Sequence, residues 1–274
     1  MKVTFYGTRG SVPVPERDFV QVGGNTSCFL LTSHNGRVAI FDAGTGIRKL
    51  GKDLLESGFE QDNIFIVLSH THWDHIQGFP FFSPAYDPHR HFTIAICGID
   101  KGTRNLESIF STQMQRDYFP VPLSKMGASM TFLAPDTTRY TTPITGNRIT
   151  ALKHNHPGHA YSYRIEGRKK ALVYCTDIEH VDGIDPNVVA LSKDADLLIH
   201  DAQYTPEELK EKKGWGHSSW DQAVEVAERA GARRLALFHH DPEHTDRFLF
   251  RVEKECQKRF PEAFLAREGM EIEL

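Results

Sequence analysis

The segment SHTHWDHIQG, residues 69–78, places three histidines and one aspartate within six consecutive positions. Directly before it runs NIFIVL, an apolar stretch typical of a buried β-strand. In an extended backbone, residues i and i+2 project to the same side, so His70 and His72 are placed to hold one cation. Asp74 and His75 lie just beyond and are placed to hold a neighbouring cation. Imidazole and carboxylate ligands suit zinc, and also manganese or iron. The segment therefore predicts a metal site, in preference to a surface loop that is merely rich in histidine.

One loop cannot fill the coordination spheres of two cations, so further ligands must come from elsewhere in the chain. Histidines and aspartates also follow predicted strands in four other segments, and such a set of strand-end groups in one domain is typical of a metal centre. The candidates are His154, His156 and His159 in ALKHNHPGHAYSYR, Asp177 in LVYCTDIEH, His200 and Asp201 in LLIHDAQY, and His239 and His240 in LALFHHDPEH. The residues alone leave open which histidine of each group is a ligand.

Short strands and amphipathic helices must position these side chains. The predicted strands are Val3–Tyr6, Cys28–Thr32, Val38–Phe41, the NIFIVL segment, Phe92–Cys97, Arg148–Leu152, Tyr161–Ile165, Ala171–Cys175, Leu197–His200 and Arg234–Phe238. Helices are predicted in DAGTGIRKLGKDLLESG, where Ile47, Leu50, Leu54 and Leu55 share one face, near Lys101–Gln115, and over Ser218–Ala230 and Glu243–Lys258. Strands precede helices in each half and no linker divides the chain, so we expect one α/β domain, residues 1–274, with two face-to-face sheets between helices.

The composition excludes several classes of protein. Of the 274 residues, 39% are hydrophobic and 25% charged, which is typical of a packed globular chain and not of a disordered one. A formal net charge of -4 argues against a strongly basic nucleic-acid-binding surface. We see no secretory signal and no apolar run of the roughly 20 residues that a membrane helix needs. The four cysteines, Cys28, Cys97, Cys175 and Cys256, form no C-x-x-C pair, so we expect a cytoplasmic protein whose cysteines are reduced and mostly buried, with no membrane partner.

These segments together resemble the metallo-β-lactamase superfamily. The likeness is to the phosphodiesterase branch that contains ribonuclease Z and the cyclic phosphate and cyclic-nucleotide phosphodiesterases. It runs nearly end to end, through FYGTRGSVPVP, GGNTSC, FDAGTGIRKL, SHTHWDHIQG and LALFHHDPEH. The resemblance implies an αββα four-layer sandwich, a metal-dependent hydrolase and two divalent metal ions, for which zinc is expected and manganese or iron are alternatives.

The resemblance assigns seven side chains to these two ions. His70, His72 and His156 would hold the first ion, Asp74, His75 and His239 would hold the second, and Asp177 would bridge the two. His156 is preferred to His154 and His159 because the family histidine stands eight residues before an arginine, here Arg164, in a strand where Ser162 replaces the usual glycine. His239 is preferred to His240 because the family histidine directly follows a strand that reads like LALF.

The resemblance also assigns groups that act without binding a metal. LLIHDAQY resembles the H-E-A-T segment of ribonuclease Z, and GWGHSSWDQA resembles the partner segment, so Asp201 would orient His217 and His217 would donate a proton to the leaving oxygen. The alternative for His217 is a place beside a helix N-cap. Asp74 would also accept the proton of the attacking water. Asp42 would fix a metal-bound histidine or, alternatively, form a turn, and His200 is expected to be structural.

The expected activity is hydrolysis of a small cyclic or linear nucleotide-type phosphodiester. We see no counterpart of the long arm with which ribonuclease Z clamps tRNA, and the net charge is negative, so folded RNA is the less favoured partner. The alternatives are a tRNA 3′-processing endonuclease, a lactone or thioester hydrolase, and a metal-binding regulatory domain without turnover. A homodimer is compatible with the resemblance. The aromatic stretch with Phe110, Met114, Tyr118 and Phe119 either roofs an apolar pocket for a flat group such as a base or belongs to the core.

Overall fold

The computed structural model describes residues 1–96, 103–135, 139–141 and 145–274. The strands in these ranges are β1 Lys2–Gly7, β2 Cys28–Thr32, β3 Val38–Phe41, β4 Asn63–Val67, β5 His91–Ala95, β6 Ser129–Leu133, β7 Arg139–Thr141, β8 Arg148–His154, β9 Ala160–Gly167, β10 Lys170–Cys175, β11 Leu197–Asp201, β12 Leu235–Phe238, β13 Ala263–Leu265 and β14 Glu271–Glu273. The α-helices are α1 Gly46–Glu56, α2 Trp73–Ile76, α3 Thr103–Gln113, α4 Pro186–Leu191, α5 Pro206–Glu211, α6 Trp220–Ala230 and α7 Asp246–Arg259. Short 3-10 turns lie at Arg17–Phe19, Phe79–Phe81, Ser83–Tyr86 and Leu123–Lys125.

The described strands form two sheets of seven. The order in the first sheet is β14-β1-β2-β3-β4-β5-β6, and the order in the second is β13-β12-β11-β10-β9-β8-β7. In each sheet, one half is antiparallel and the other half, β3 to β6 or β10 to β13, is parallel. The parallel strands are covered on both faces, which is why IFIV in β4 and LLIH in β11 are apolar or buried without interruption.

The two sheets pack against each other through aromatic side chains. Phe29 of β2 stacks on Phe41 of β3 with ring centroids 4.7 Å apart, and it meets Tyr174 of β10 edge to face at 5.0 Å. Helices α1 and α3 cover the outer face of the first sheet, and α4, α6 and α7 cover the outer face of the second. The order helix, sheet, sheet, helix confirms the predicted αββα four-layer sandwich.

Most long elements lie where the sequence pattern predicts them, and the differences have local causes. Leu55 does not share the buried face of α1, because its side chain is 46% exposed while Ile47, Leu50 and Leu54 are buried. The short β6, β7, β13 and β14 were not predicted, since edge strands of three to five residues carry too little periodic pattern to be recognised. Cys28, Cys175 and Cys256 are free and buried, as expected, whereas Cys97 lies outside the described residues. Among the described residues, every helix is too short or too polar to cross a lipid bilayer.

Candidate metal centre

Histidine and aspartate side chains from four loops converge between the two sheets. The first sheet contributes the loop after β4, and the second contributes the loops after β8, β10 and β12. Among the described residues, four groups have ligand atoms that all lie within 4.8 Å of one another, and two of the four include His217. The other two form the cluster; the first is His70, His72 and His156, and the second is Asp74, His75, Asp177 and His239. The structure therefore brings together all seven side chains that the resemblance assigns to two metal ions.

Asp177 lies between the two groups, with one carboxylate oxygen facing each. Its Oδ1 lies 3.6 Å from Nε2 of His70 and 3.8 Å from Nε2 of His156. Its Oδ2 lies 3.2 Å from Nε2 of His75 and 3.3 Å from Nε2 of His239. A single buried carboxylate is thus positioned to share its two oxygens between two neighbouring ions.

The donor set fits divalent cations. Ligand atoms about 2.0–2.1 Å from a tetrahedral zinc ion lie about 3.3 Å from each other. The separations in the cluster bracket this value, from 3.1 Å between His156 Nε2 and His72 Nδ1 to 3.8 Å between His156 Nε2 and Asp177 Oδ1. Nε2 of His70 is buried and has no hydrogen-bond partner among the described residues, although it points into the cluster. A bound cation would satisfy this lone pair.

The first group is held in the protonation state that binds metal. Burial lowers the pKa of His70 well below its ordinary value, and it also lowers the pKa of His72 and of His156. The three imidazoles are therefore neutral at pH 7 and present their lone pairs. Metal ligands must be deprotonated to bind, so no proton has to be removed from these rings.

The second group holds excess negative charge. Burial raises the pKa of the Asp177 carboxyl, but the neighbouring His239 and His75 outweigh burial and hold it well below its usual range. Burial lowers the pKa of His75, but the carboxylates of Asp177 and Asp74 outweigh it and raise the pKa well above the ordinary value. Two buried carboxylates thus attract a proton onto His75. A divalent cation would neutralise the same charge, because buried carboxylates are costly without a positive partner.

Three residues at the site have left-handed backbone conformations that are uncommon for non-glycine residues. Asp42 has φ 56°, Asp177 has φ 55° and His239 has φ 59°. Each stands one or two residues after the end of a strand, where the turn aims its side chain into the cluster. Such conformations cost of the order of 1–3 kcal/mol each and persist where the surrounding structure enforces them, typically at functional sites.

Asp42 lies behind the second group and orients His75. Its Oδ2 accepts hydrogen bonds from the hydroxyls of Ser69 at 2.8 Å and Tyr174 at 2.6 Å, and it lies 2.9 Å from His75 Nδ1. The Ser69 N–H donates to Asp42 Oδ1 at 2.7 Å. This network fixes the His75 proton on Nδ1 and turns Nε2 towards Asp177. The structure therefore favours the orienting role of Asp42 and not the simple turn.

Replacing Asp42 with asparagine is expected to weaken metal binding about 10- to 100-fold, the range typical for the loss of an outer partner of a metal-bound histidine. The amide can no longer offer a negatively charged acceptor to the His75 Nδ1–H. The affinity is measured by competition with a chelator of known affinity for zinc. Tyr174→Phe is the matched control, because it removes one hydrogen bond from Asp42 and leaves the charge. Unchanged metal affinity in folded Asp42→Asn would contradict the orienting role.

Three further contacts at the site were not predicted from the sequence. The Ser11 N–H donates to Asp74 Oδ2 at 2.8 Å, Gln203 Oε1 lies 2.9 Å from His239 Nδ1, and the Gly216 carbonyl lies 2.9 Å from His156 Nδ1. The last contact requires glycine, because Gly216 has φ +90° and a Cβ atom there would overlap the His156 ring. In each case the partner is remote in sequence, and the only local signal was the glycine-rich context of Ser11 and Gly216.

His217 and Asp201 form a buried pair beside the cluster. His217 Nδ1 lies 2.8 Å from Asp201 Oδ2, and the His217 ring stacks on His239 with centroids 4.9 Å apart. Burial lowers the pKa of His217, but Asp201 outweighs burial and raises that pKa to about 9. His217 also has a ring nitrogen within 4.8 Å of ligand atoms of His156 and Asp177. The N-cap of α6 is Ser219, two residues after His217, so His217 lies beside that N-cap as well as beside the cluster.

The neighbouring histidines lie outside these clusters. His154 is buried between Ser162 Oγ and the Asp177 carbonyl, and His159 is exposed. His240 is buried with its Nε2 3.0 Å from the carbonyl of Ala266. The remaining two are His244, which lies 2.9 Å from Glu208, and His200, which is buried in β11.

Comparisons with known proteins bear on the whole chain. The sequence-family model described as the β-lactamase superfamily domain matches residues 37–240 of this chain. Ribonuclease Z of Haloarcula marismortui is 25% identical over 315 aligned residues, which cover 99% of this chain and 96% of that protein. The metallo-β-lactamase fold protein YhfI of Bacillus subtilis superposes with a TM-score of 0.72 and 24% identity, covering 99% of this chain and 98% of YhfI. The short form of human tRNase Z superposes with a TM-score of 0.70 and 21% identity, covering 100% of this chain and 99% of that protein.

Proposed function

The chain belongs to the β-lactamase superfamily, with the metallo-β-lactamase fold, and is a metal-dependent hydrolase; from this premise we propose that it hydrolyses a small cyclic or linear phosphodiester of the nucleotide type. The family resemblance read from the sequence is thereby confirmed. The observation that carries the proposal is the position of Asp177, whose two oxygens each face one cluster of histidines. Two ions about 3.5–4 Å apart are the arrangement that clamps both sides of a phosphodiester.

The seven clustered side chains hold two divalent ions in this proposal. His70, His72 and His156 would hold one ion, Asp74, His75 and His239 would hold the other, and Asp177 would lie between them. Zinc is the proposed metal, because imidazole-rich sites of this kind suit it, while manganese and iron accept the same donors. The bound ions supply Lewis-acid polarisation of the phosphoryl oxygens and a hydroxide nucleophile at neutral pH.

The chain's own residues then accept and donate the protons of the reaction. Asp74, held by the Ser11 N–H, accepts the proton of the attacking water. His217 carries a proton at neutral pH because Asp201 raises its pKa to about 9, and it donates that proton to the leaving oxygen. Asp201 is itself held by the N–H groups of Gln203 and Ser218, at 3.1 and 3.2 Å, so it keeps His217 oriented.

A nucleotide-sized substrate is favoured over folded RNA. The formal net charge of -4 opposes a polyanion that needs many phosphate contacts. The alignment with the Haloarcula ribonuclease Z extends over 315 positions, more than the 274 residues of this chain, so that relative carries segments for which this chain has no counterpart. A chain without those segments offers less surface for contacts with a large RNA.

The second candidate is tRNA 3′-processing, and the similarity to ribonuclease Z along nearly the whole chain favours it. Lactone or thioester hydrolysis is third, because the pair of Asp201 and His217 is suited to protonating the oxygen that leaves phosphorus.

We also propose that residues 1–274 act as one domain, since both sheets contribute ligands to one centre. A homodimer remains a prediction, and analytical ultracentrifugation tests it by measuring the molar mass of the protein in solution.

A substrate panel tests the proposal directly. The zinc-loaded protein is expected to hydrolyse 3′,5′- or 2′,3′-cyclic nucleotides and bis-p-nitrophenyl phosphate, and to leave a precursor tRNA and a simple lactone intact. The chelator-treated protein is the control and should hydrolyse none of them. Cleavage of the precursor tRNA, with an affinity that falls steeply as salt rises, would instead support the second candidate. Hydrolysis of the lactone alone would contradict any phosphodiesterase.

A further inference from the structure

A cleft beside the candidate metal centre is lined by aromatic side chains. Its volume is about 680 Å³, within the range of roughly 300–1,000 Å³ that is usual for small-molecule sites. The aromatic residues that line it are Trp73, Phe81, Tyr118 and Phe119. Trp73 stands between His72 and Asp74, so the wall of the cleft and the metal-binding loop are the same segment. Of the four residues considered for a roof, Tyr118 and Phe119 line the cleft, whereas Phe110 and Met114 are buried in the core.

These rings are exposed to an unusual degree for their size. Trp73 is 74% exposed, Tyr118 is 67% exposed and Phe81 is 56% exposed. Phe81 is held in place by Phe119, which meets it edge to face with centroids 5.5 Å apart. Exposed apolar surface gathered in one cleft is typical of a binding site, whereas single exposed rings are ordinary. The cleft therefore presents preformed flat surfaces to a ligand.

The charges of the residues that line the cleft favour a neutral base over a phosphate. The described residues that line it include Asp117 and neither lysine nor arginine. This lining offers no positive charge to attract a phosphate or an RNA backbone, whereas a neutral flat group needs none. The phosphate of a substrate belongs at the adjacent metal centre, so the uncharged part is left for the cleft.

Polar groups at the edge of the cleft suit a heterocycle better than a purely apolar ligand. Gln113 lines the cleft, donates through Nε2 to the Ile76 carbonyl at 2.9 Å and has its Oε1 buried. The side chains of Thr71, Gln77 and Thr112 also line the cleft. A nucleobase combines a flat face for the rings with N–H donors and acceptors along its edge, and it matches both features.

We propose that this cleft binds the base of a nucleotide phosphodiester, stacked on Trp73 and bordered by Phe81 and Tyr118, while the phosphate lies at the metal centre. The inference rests on the proposed function and adds the place where the base of its substrate binds. Trp73 would then favour nucleoside esters over esters without a base. Stacking on an aromatic side chain strengthens the binding of any base, so Trp73 would not select one base over another.

The test compares substrates that share a leaving group and differ in the base. Nucleoside 5′-(p-nitrophenyl) phosphodiesters of one purine and one pyrimidine are compared with methyl p-nitrophenyl phosphate. Trp73→Ala is expected to lower kcat/KM about 10- to 100-fold on at least one nucleoside ester, and less than about twofold on the methyl ester. Trp73→Phe should recover part of the loss. Trp215→Ala, which removes a tryptophan that is 58% exposed and outside the cleft, should leave the ratio between the two kinds of ester unchanged.

The possible failures are distinguishable. If the wild-type protein hydrolyses none of these esters, the proposed function fails. If it hydrolyses them and Trp73→Ala changes all alike or none, the base site is wrong and phosphodiester hydrolysis stands. Equilibrium binding of a purine and a pyrimidine nucleoside monophosphate gives a second readout, in which Trp73→Ala should raise Kd about 10- to 100-fold for at least one. Equal Kd values in wild-type and variant for both would also overturn the proposal.

Discussion

Asp177→Ala is expected to remove metal and activity together. Each oxygen of Asp177 faces a different group of ligands, so one substitution takes a ligand from both ions and leaves His70 and His75 without their shared carboxylate. Loss of the ions removes several kcal/mol of transition-state stabilisation, which corresponds to at least about a 10³-fold fall in kcat/KM. Metal content of the purified protein by mass spectrometry and turnover of bis-p-nitrophenyl phosphate are the two measurements.

His72→Ala separates this effect from misfolding. His72 is exposed, so its loss should leave the thermal midpoint of unfolding of the metal-free protein nearly unchanged while metal and activity still fall. His159→Ala is the matched control, because His159 is an exposed histidine three residues after His156 and lies outside both clusters. It should keep both ions and full activity. Full metal retention in both Asp177→Ala and His72→Ala would remove the assignment of the whole centre.

His217→Ala is expected to keep both metal ions and to lose turnover selectively. A positioned general acid contributes typically about 10²- to 10⁴-fold, so kcat should fall by this factor on a phosphodiester with an alkoxide leaving group. On a p-nitrophenyl ester the loss should be less than about tenfold, because p-nitrophenolate leaves without a proton. The measurement is kcat on the two esters at neutral pH, where the pKa of about 9 keeps His217 protonated in the wild-type protein.

Two variants show whether the proton or merely the shape of His217 matters. His217→Gln offers an amide to Asp201 but cannot donate a proton as an acid, so it should reproduce the same dependence on leaving group. Asp201→Asn keeps the size of the partner and removes the charge that raises the pKa of His217, so it should show an intermediate loss. Equal losses on the alkyl and p-nitrophenyl esters in His217→Ala would reject the acid role, and loss of metal would make His217 a ligand.

The metal-binding loop was accessible from sequence because its information is local. His70, His72, Asp74 and His75 occupy six consecutive positions after an apolar strand, and the alternation of an extended chain already places two of them on one side. The layer order was accessible for a similar reason. Strand and helix periods are local patterns, and burial of their apolar faces admits only a few arrangements of layers.

The choice among adjacent histidines was not available from spacing alone. His154 and His156 both stand at the end of β8, as do His239 and His240 at the end of β12, and the resemblance was needed to choose between them. The structure separates them by backbone conformation. His239 has φ 59°, which turns its ring into the cluster, while the ring of His240 reaches the carbonyl of Ala266 instead.

By itself, the sequence determined the sandwich of layers, the loop that begins the site and the types of group that could hold metal, because these follow from periodicity and from neighbours along the chain. For Asp177 and Asp42 the resemblance gave an expectation, and the tertiary structure supplied the distances to the histidines. Only the tertiary structure decided that Gln203 lies against His239 and that Trp73 faces a cleft. The reason is that each of these contacts joins residues from different loops. Their distances are set by how the two sheets pack, which no local pattern of residues encodes.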